Sequence, residues 1–287
     1  MKESSSRIVT YEPNALVSEI ESGYFPELIR LVSEGYGKVI RGEKTREKKT
    51  IQEFDYPGRA KIYLYKDGNT NDIIGYFTAI IWKNEDNDKR GGYLRSHFRE
   101  HKVKVNDRNL AFDVGGIVID PRFRGQGIGP SLIRYATDDI NPVMVVGQTK
   151  NPAAIFARTK ALSDKYILVW GGKVISEPNL DFSDQVAQFA TESFYKARQI
   201  YYTKELTKDA SELLQSRYGK AVHASPQELV PFDKVDLSTV PYSLQPAFSE
   251  INAVQDELNA KNIKMVAWSP LVAVRKDVAA KIQNTYR

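Results

Sequence analysis

The chain has 287 residues, with 41 basic and 36 acidic side chains, 41% hydrophobic residues and no cysteine. A chain of this length can bury a large core as one large or two modest domains, and the absence of cysteine excludes disulfides, thiolate metal sites and a cysteine nucleophile. The formal charge of +5 permits an anionic ligand or a nucleic acid but requires neither.

The hydrophobic runs of the chain are too short for a transmembrane helix. The longest, residues 73–82, falls well short of the roughly 20 apolar residues that a bilayer requires. The first residues, MKESSSR, lack the apolar core of a signal peptide. We therefore expect a cytoplasmic protein without a membrane partner.

The chain begins with a predicted strand, a helix and a β-hairpin. Their residues show either a β-rich composition or a helical spacing of apolar side chains, and they lie, in this order, at 7–11, 22–36, 61–65 and 72–82. Asp67 and Gly68 predict the tight turn of the hairpin.

Two polar segments interrupt this part of the chain. Residues 41–50, RGEKTREKKT, carry five basic side chains and fit either a solvated loop or helix face or an anion-binding patch. Residues 83–108 contain Gly91, Gly92 and two of the three histidines, and this composition predicts a long, partly irregular loop.

Strands and helices alternate in the next part of the chain. The predicted strands lie at residues 110–119, 143–146, 167–170 and 173–175, and the predicted helices at 130–139 and 151–162. Within the first of these strands, Gly115 and Gly116 indicate a bulge or a close approach of the backbone to another element. The alternation predicts an α/β architecture with a mixed sheet.

The composition changes near Pro178, after which helical patterns dominate. Residues 181–219 fit one long helix or two shorter ones, and further helices are predicted at 247–261 and 277–286. Residues 226–246 resemble a loop, and 263–274 contain β-like pieces interrupted by Pro270. We therefore divide the chain into a domain at residues 1–177 and a mostly helical C-terminal region at 178–287, whose role the sequence does not indicate.

The segment Arg124-Gly125-Gln126-Gly127-Ile128-Gly129 stands between a predicted strand and a predicted helix. Glycines at alternate positions let successive N–H groups converge on an anion, and the helix adds the positive end of its dipole. A P-loop ends in Gly-Lys-Ser/Thr, whereas Gly129 is followed here by Pro130 and Ser131. The missing lysine excludes a P-loop. A dinucleotide loop is excluded because the third glycine is one residue early and no acidic residue follows at the required distance.

The pattern R-x-x-G-x-G after a strand resembles the acyl-CoA pyrophosphate loop of the GNAT N-acetyltransferase superfamily. The order of the predicted elements over residues 7–175 is similar to the whole GNAT fold, and the phrase IVIDPRFRGQGIGPSLI is the most similar part. The resemblance implies a GNAT acyl-CoA N-acyltransferase fold with a mostly helical C-terminal extension. A glycine turn that binds nothing is the alternative.

The resemblance implies where an acyl-CoA co-substrate would bind. In the family, the strand before the loop pairs with the pantetheine amides beside a bulge, the loop amides hold the pyrophosphate, and a helix-capping asparagine contacts the cofactor arm. The matching residues here are Ile117, Val118 and Ile119 for the strand, Arg124, Gly125, Gln126, Gly127, Ile128 and Gly129 for the loop, and Asn151 for the cap. Pro130 replaces the usual small polar residue and removes one N–H donor, and Asn151 also fits a plain helix cap.

The resemblance also implies direct transfer of an acyl group from the thioester to an amine, without a covalent enzyme intermediate. Asp113 matches the carboxylate that acts as base through water, and its place in an apolar strand predicts a raised pKa; a cap at the sheet end is the alternative. The family's usual thiolate-protonating tyrosine is replaced by Arg158. Tyr166 and Tyr135 are near in sequence, and water or Arg158 could assist instead.

His97 and His101 are four residues apart, a spacing that on a helix could bind a metal. The chain has no cysteine and no H-E-x-x-H motif, and the flanking sequence RSHFREHK is highly charged. We therefore favour a solvated loop or an acceptor-recognition element and expect no metal.

The acceptor is not indicated by any motif. The basic residues 41–49, and the alternation of aromatic and cationic side chains at 195–198 and 201–204, favour a macromolecule such as a nucleic acid or a protein. An amphipathic helix at the edge of the core explains the second segment equally well. The competing function is a CoA-binding or regulatory module without catalysis, and the C-terminal region fits either an acceptor lid or the interface of a homodimer.

Overall fold

The computed structural model describes residues 7–12, 25–36, 60–177, 179–205, 217, 222–226, 234–263 and 265–285. Its strands are β1 (Arg7–Tyr11), β2 (Ala60–Lys66), β3 (Ile73–Lys83), β4 (Asn109–Ile119), β5 (Met144–Val146), β6 (Gln148–Thr149), β7 (Tyr166–Trp170), β8 (Lys173–Val174), β9 (His223–Pro226) and β10 (Met265–Arg275). Its α-helices are α1 (Phe25–Tyr36), α2 (Lys89–Glu100), α3 (Ile128–Ile140), α4 (Pro152–Leu162), α5 (Ser183–Glu205), α6 (Gln245–Ala260) and α7 (Lys276–Thr285). The mixed α/β class predicted from the sequence is confirmed.

The chain divides into two compact units. The first consists of Met1–Trp82 and Phe112–Pro142, and the second of Lys83–Ala111 and Val143–Arg287. Among the helices of the described residues, none combines the length and the hydrophobicity needed to cross a membrane.

The first unit is built on the antiparallel neighbours β1, β2 and β3, with β4 next to β3. Asp67 closes the predicted β2–β3 turn, because its carboxylate accepts hydrogen bonds from the backbone N–H groups of Asn69 and Thr70. Aromatic rings from three neighbouring strands pack together. Phe77 of β3 contacts both Tyr63 of β2 and Phe112 of β4 at ring distances of 6.2 and 5.9 Å.

The second unit is organised around β10. Its residues pair antiparallel with β9 over Met265 to Trp268, with β6 at Ser269 and Pro270, and with β7 from Leu271 onward, while β5 pairs with Ala273 and Val274. The helix α6 packs on β10 through apolar side chains at helical spacing, which are Phe248, Ile251, Val254 and Leu258. Trp170 of β7 stacks against Phe248 at 4.6 Å and closes this core.

Pro270 does not interrupt β10, so the prediction of separate β-like pieces at 263–274 was wrong. Proline lacks the N–H group that a strand interior normally needs. Pro270 lies opposite Gln148 of β6, between the stretch of β10 that pairs with β9 and the stretch that pairs with β7. Its carbonyl oxygen still accepts a hydrogen bond from the backbone of Gly171.

The prediction of a long loop at residues 83–108 was also wrong, because this segment contains α2. Asp88 caps the helix, and its carboxylate accepts hydrogen bonds from the backbone N–H groups of Arg90 and Gly91 and from that of Lys83. The glycine pair suggested a loop since glycine disfavours helices. Gly91 serves instead to let α2 start against the end of β3.

The predicted boundary between residues 177 and 178 stays a prediction. β10 follows that boundary in the chain and pairs with β5 and β7, which precede it. The helices α5, α6 and α7 account for most of the regular structure described after residue 178.

Candidate active site

The glycine turn lies between β4 and α3 in the first unit. Asp120 caps a short 3₁₀ helix, Pro121–Phe123, directly after β4. The backbone then passes through left-handed conformations at Gly125, with φ of 81°, and at Gly127, with φ of 80°. Gly127 is the residue that precedes the first turn of α3. Because positive φ values are costly for other residues, the two glycines are required by the shape of this turn.

The turn leaves open space beside two of its glycines. No atom lies within 4 Å of the position that a Cβ would take on Gly125 or Gly127. Within the described part of the chain, no backbone carbonyl accepts a hydrogen bond from the N–H groups of Gly125, Gln126 or Gly127. The first turn of α3 adds the positive end of a helix dipole. This arrangement suits a phosphate or another anion.

Asp120 anchors the base of the turn. Its side chain is fully buried and accepts hydrogen bonds from the backbone and the guanidinium of Arg122 and from Nη1 of Arg30, at 2.7 to 3.0 Å. The guanidinium groups of Arg122 and Arg30 hold the pKa of the Asp120 carboxyl well below its ordinary value. The pair Asp120-Pro121 by itself indicates a turn after the strand. An aspartate directly before a proline is typical of the residue that caps a helical turn, so the capping role of Asp120 could have been predicted. The contact with Arg30 could not, because Arg30 is distant in the sequence.

The end of β4 holds the three residues predicted to pair with pantetheine. Val118 is buried, whereas Ile117 and Ile119 are partly exposed. A Cβ on Gly75 of β3 would lie 2.7 Å from Cδ1 of Ile119 and 3.2 Å from the carbonyl oxygen of Val118. Gly75 therefore makes room for the end of β4, a role that sequence analysis missed.

Asp113 is buried in the same strand, two residues before the glycine pair. A Cβ on Gly115 would lie 2.6 Å from Oγ1 of Thr78, so the Thr78 side chain of β3 occupies the space beside Gly115. Neither Gly115 nor Gly116 has a positive φ. The position of the Thr78 side chain therefore explains why residue 115 is a glycine. A bulge at this point stays a prediction.

The second unit holds the other predicted site residues. Asn151 caps α4, since its Oδ1 accepts a hydrogen bond from the backbone N–H of Ala153 at 2.9 Å, and its own N–H donates to Thr149 Oγ1. Its side chain is exposed, so capping leaves its amide nitrogen accessible to solvent. The predicted helix cap is confirmed, and a contact with CoA stays a prediction.

Arg158 and Tyr166 are both buried. The guanidinium of Arg158 lies over Gly147, where a Cβ would come within 2.6 Å of Nη1 and 2.7 Å of Nη2. Gly147 follows β5, and its carbonyl oxygen accepts a hydrogen bond from Leu271. Tyr166 begins β7 opposite Arg275 of β10. The glycine at position 147 is what allows a buried arginine at position 158.

The features that favoured a macromolecular acceptor are only partly described. Residues 41–49 lie outside the described residues, as do the side chains of 197–205. Lys196 donates hydrogen bonds to both carboxylate oxygens of Glu100. Tyr195 contacts Phe194 edge-on at 5.4 Å. Neither residue is arranged as an open platform for bases, and the nature of the acceptor stays a prediction.

His97 does not lie in a solvated loop, contrary to the prediction. It occupies the last turn of α2 and is 2% exposed. Its ring stacks on that of Phe189 at 4.9 Å. The sequence could not reveal this, because Phe189 belongs to α5 and is distant in the chain.

No family model and no curated protein matches the chain. Solved acetyltransferases do resemble it. An aminoglycoside acetyltransferase from an uncultured soil metagenomic sample, in complex with sisomicin, is 16% identical over 54% of this chain and 86% of its own, with a TM-score of 0.36. Arylalkylamine N-acetyltransferase 2 from Aedes aegypti is 16% identical over 53% and 80%, with a TM-score of 0.34. A mutant spermidine N-acetyltransferase from Vibrio cholerae is 11% identical over 56% and 79%, with a TM-score of 0.31.

Other similar solved structures are described as acetyltransferases of the GNAT family. These structures are at most 16% identical to the chain, with TM-scores of at most 0.36, so the resemblance to the GNAT superfamily continues to rest on the chain's own residues.

Proposed function

We propose that the protein is an N-acyltransferase that moves an acyl group from acetyl-CoA, or a related thioester, directly to a primary amine. The observation that carries this proposal is the glycine turn before α3. Open space lies beside the Cβ positions of Gly125 and Gly127, and the N–H groups of residues 125–127 have no backbone acceptor among the described residues. Such a turn fits the pyrophosphate of CoA, whose negative charges require several converging donors.

The proposed binding mode uses the residues that the sequence resemblance matched to the acyl-CoA site. Residues 124–129 hold the pyrophosphate through backbone amides, and the partly exposed end of β4 at Ile117 to Ile119 offers backbone groups to the pantetheine amides. Asn151 contacts the same arm through its amide. Pro130 lies in the first turn of α3, where the missing N–H costs no helical hydrogen bond but removes one donor to the phosphate.

The proposed reaction forms a C–N bond and breaks the C–S bond of the thioester. The attacking amine loses a proton, which passes through water to Asp113, a buried carboxylate in the strand next to the binding site. The leaving thiolate takes up a proton, for which Tyr166 is the candidate donor, while the charge of Arg158 stabilises the thiolate. No residue becomes covalently acylated, in agreement with the absence of cysteine.

Thermal unfolding with CoA and acetyl-CoA tests the binding step. A ligand at 100 times its dissociation constant raises the free energy of unfolding by about 2.7 kcal/mol, so a clear rise in melting temperature is expected. Gly127→Glu should abolish the rise, because it places a carboxylate where the phosphate binds. Gly127→Lys carries the same backbone strain with the opposite charge and should retain more affinity. An unchanged melting temperature for the original chain at saturating CoA would refute the proposal.

Release of free CoA in the presence of amines tests the transfer step. A panel should cover the amines of the acceptors found among similar structures, namely aminoglycosides, arylalkylamines and spermidine, together with peptides and nucleic acids. For a nucleic-acid acceptor, retention on DNA should fall steeply with salt, because each phosphate contact releases counterions. Salt-insensitive behaviour favours a small molecule or a protein.

A second candidate function is a CoA-binding module without catalysis. Arg158 in the place of the usual tyrosine favours it, and the guanidinium packed on Gly147 is buried. The two candidates differ in one measurement. An enzyme releases CoA from acetyl-CoA with at least one amine, whereas the module shows the thermal shift and no release with any of them.

A further inference from the structure

Three side chains of types that can ligate a metal lie together in the second unit. His97 and His101 stand at the end of α2, and Glu192 belongs to α5; the ligand atoms that they offer all lie within 4.8 Å of one another. The imidazole centroids are 4.5 Å apart, and Nε2 of His101 is 3.3 Å from Oε2 of Glu192. The four-residue spacing places both imidazoles on one side of the helix end.

The surroundings of His97 set which of its nitrogens can bind a metal. Its Nε2 lies 3.3 Å from the carbonyl oxygen of Phe189. Because a carbonyl oxygen can only accept, the proton sits on Nε2 and the lone pair of the neutral ring on Nδ1. A backbone carbonyl behind the imidazole is the usual outer partner of a histidine ligand.

The spacing of the cluster agrees with a small tetrahedral ion. With Zn–ligand distances of about 2.0 to 2.2 Å, neighbouring ligand atoms in a tetrahedral site are roughly 3.3 to 3.6 Å apart. The separation of 3.3 Å between His101 and Glu192 already has this value. The remaining separations, at most 4.8 Å, close with small side-chain movements.

Glu100 offers a carboxylate oxygen as a fourth ligand atom at the edge of the cluster. Its Oε2 lies 3.9 Å from Nδ1 of His97, and Nζ of Lys196 donates to its Oε1 at 2.7 Å. The carboxylate is thus already oriented by one cation beside the lone pair of His97. Both Glu100 and Lys196 are partly exposed, so the lysine can turn toward solvent when a metal binds.

We propose that His97, His101 and Glu192 form a binding site for a divalent transition metal, with Zn²⁺ the expected ion and Glu100 or water as fourth ligand. Two imidazoles and one or two carboxylates suit Zn²⁺ better than Mg²⁺ or Ca²⁺, which prefer oxygen ligands alone. A bound ion ties the end of α2 to α5. It therefore stabilises the second unit, because the unfolded chain does not hold the three ligands together.

Titration of the full-length, tag-free, chelator-treated protein with Co²⁺ tests the site, since Co²⁺ bound by nitrogen and oxygen absorbs visible light and is displaced by Zn²⁺. One ion per chain is expected. His101→Gln and Glu192→Gln should each weaken binding by more than about tenfold, since even an outer partner typically contributes that much. His223→Gln removes the chain's remaining histidine and should leave the affinity unchanged.

Circular dichroism of the metal-free variants checks that both substitutions leave the fold intact, which their partly exposed positions favour: His101 is 17% exposed and Glu192 29%. Folded variants that bind Co²⁺ as tightly as the original chain overturn the proposal. So does the absence of saturable binding by the original chain, because His101 and Glu192 would then be an ion pair alone.

Discussion

Gly91 lies so close to Lys83 that a Cβ atom on Gly91 would be 1.9 Å from the carbonyl oxygen of Lys83. That distance is far inside van der Waals contact, and the obstructing atom belongs to the backbone of β3, which cannot turn away. The adjacent Asp88 accepts a hydrogen bond from the N–H of Lys83 and caps α2. The start of α2 is thereby held against the end of β3.

Gly91→Ala should destabilise the protein by about 1 to 3 kcal/mol or more, because α2 has to move away from β3. Gly92→Ala is the matched control, since the nearest atom to its Cβ position, Nη2 of Arg95, is 3.9 Å away and belongs to a flexible side chain. Alanine there should stabilise α2 by about 0.5 to 1 kcal/mol. Urea unfolding of both variants measures the difference, and equal stabilities would contradict the close approach.

The same glycine pair shows why this helix was not predictable from the sequence. Gly91 and Gly92 lower helix propensity equally, and only the position of Lys83 in space distinguishes them. Elements with strong local signals were predicted well. The Asn151 cap and the apolar spacing of Phe248, Ile251 and Val254 need no information from distant residues.

The glycine turn of the candidate site could be predicted from the sequence. The residues that pack around the turn and hold it in place could not. The glycine turn has a local sequence signal, because positive φ values and a helix start require particular residue types. The clearance of Gly75 beneath Ile119 and the pairing of Asp120 with Arg30 depend on residues many positions apart. The cluster of His97 and His101 with Glu192 depends on such a contact as well, so two of its three side chains were recognisable from their spacing and the third was not.

Asp120 should make the stability of the protein depend on acid pH. Its pKa is lowered in the folded chain, mainly through its hydrogen bonds with Arg122. The ionised carboxylate therefore adds to the free energy of unfolding at pH values above the pKa of Asp in the unfolded chain, about 3.9. This stabilisation is lost as the pH falls through the lower pKa that Asp120 has in the folded chain. Asp120→Asn should cost about 1 to 3 kcal/mol at neutral pH and progressively less below about pH 4.

Urea unfolding at several pH values measures that difference. Asp86→Asn is the control, because Asp86 is fully exposed beside Arg95 and should show little change at any pH. A cost of Asp120→Asn that stays constant from neutral to strongly acid pH would show that the carboxylate is not the ionised anchor of the turn.

Gln255 should be important for the attachment of α6 to β10. Its buried side chain donates to the carbonyl oxygen of Met265 at 2.9 Å and accepts from the N–H of Ala267 at 3.1 Å. Gln255→Leu leaves both backbone groups without this partner and should cost about 2 to 4 kcal/mol. Asn252→Leu breaks a similar pair of bonds to Val235 in a partly exposed place and should cost less. Thermal unfolding of both variants ranks them, and the reverse order would contradict the argument.

Asp113→Asn should separate catalysis from binding if the proposed acyl transfer is correct. Asparagine has nearly the same size and cannot take up the amine proton, so turnover should fall by about 10²- to 10⁴-fold while the affinity for CoA changes little. Asp139→Asn makes the same chemical change at a partly exposed carboxylate of α3 that accepts hydrogen bonds from Tyr63 and Lys61. It should leave turnover unchanged. Rates of CoA release at neutral and mildly alkaline pH measure the effect, and full activity of Asp113→Asn over that range would exclude Asp113 as the base.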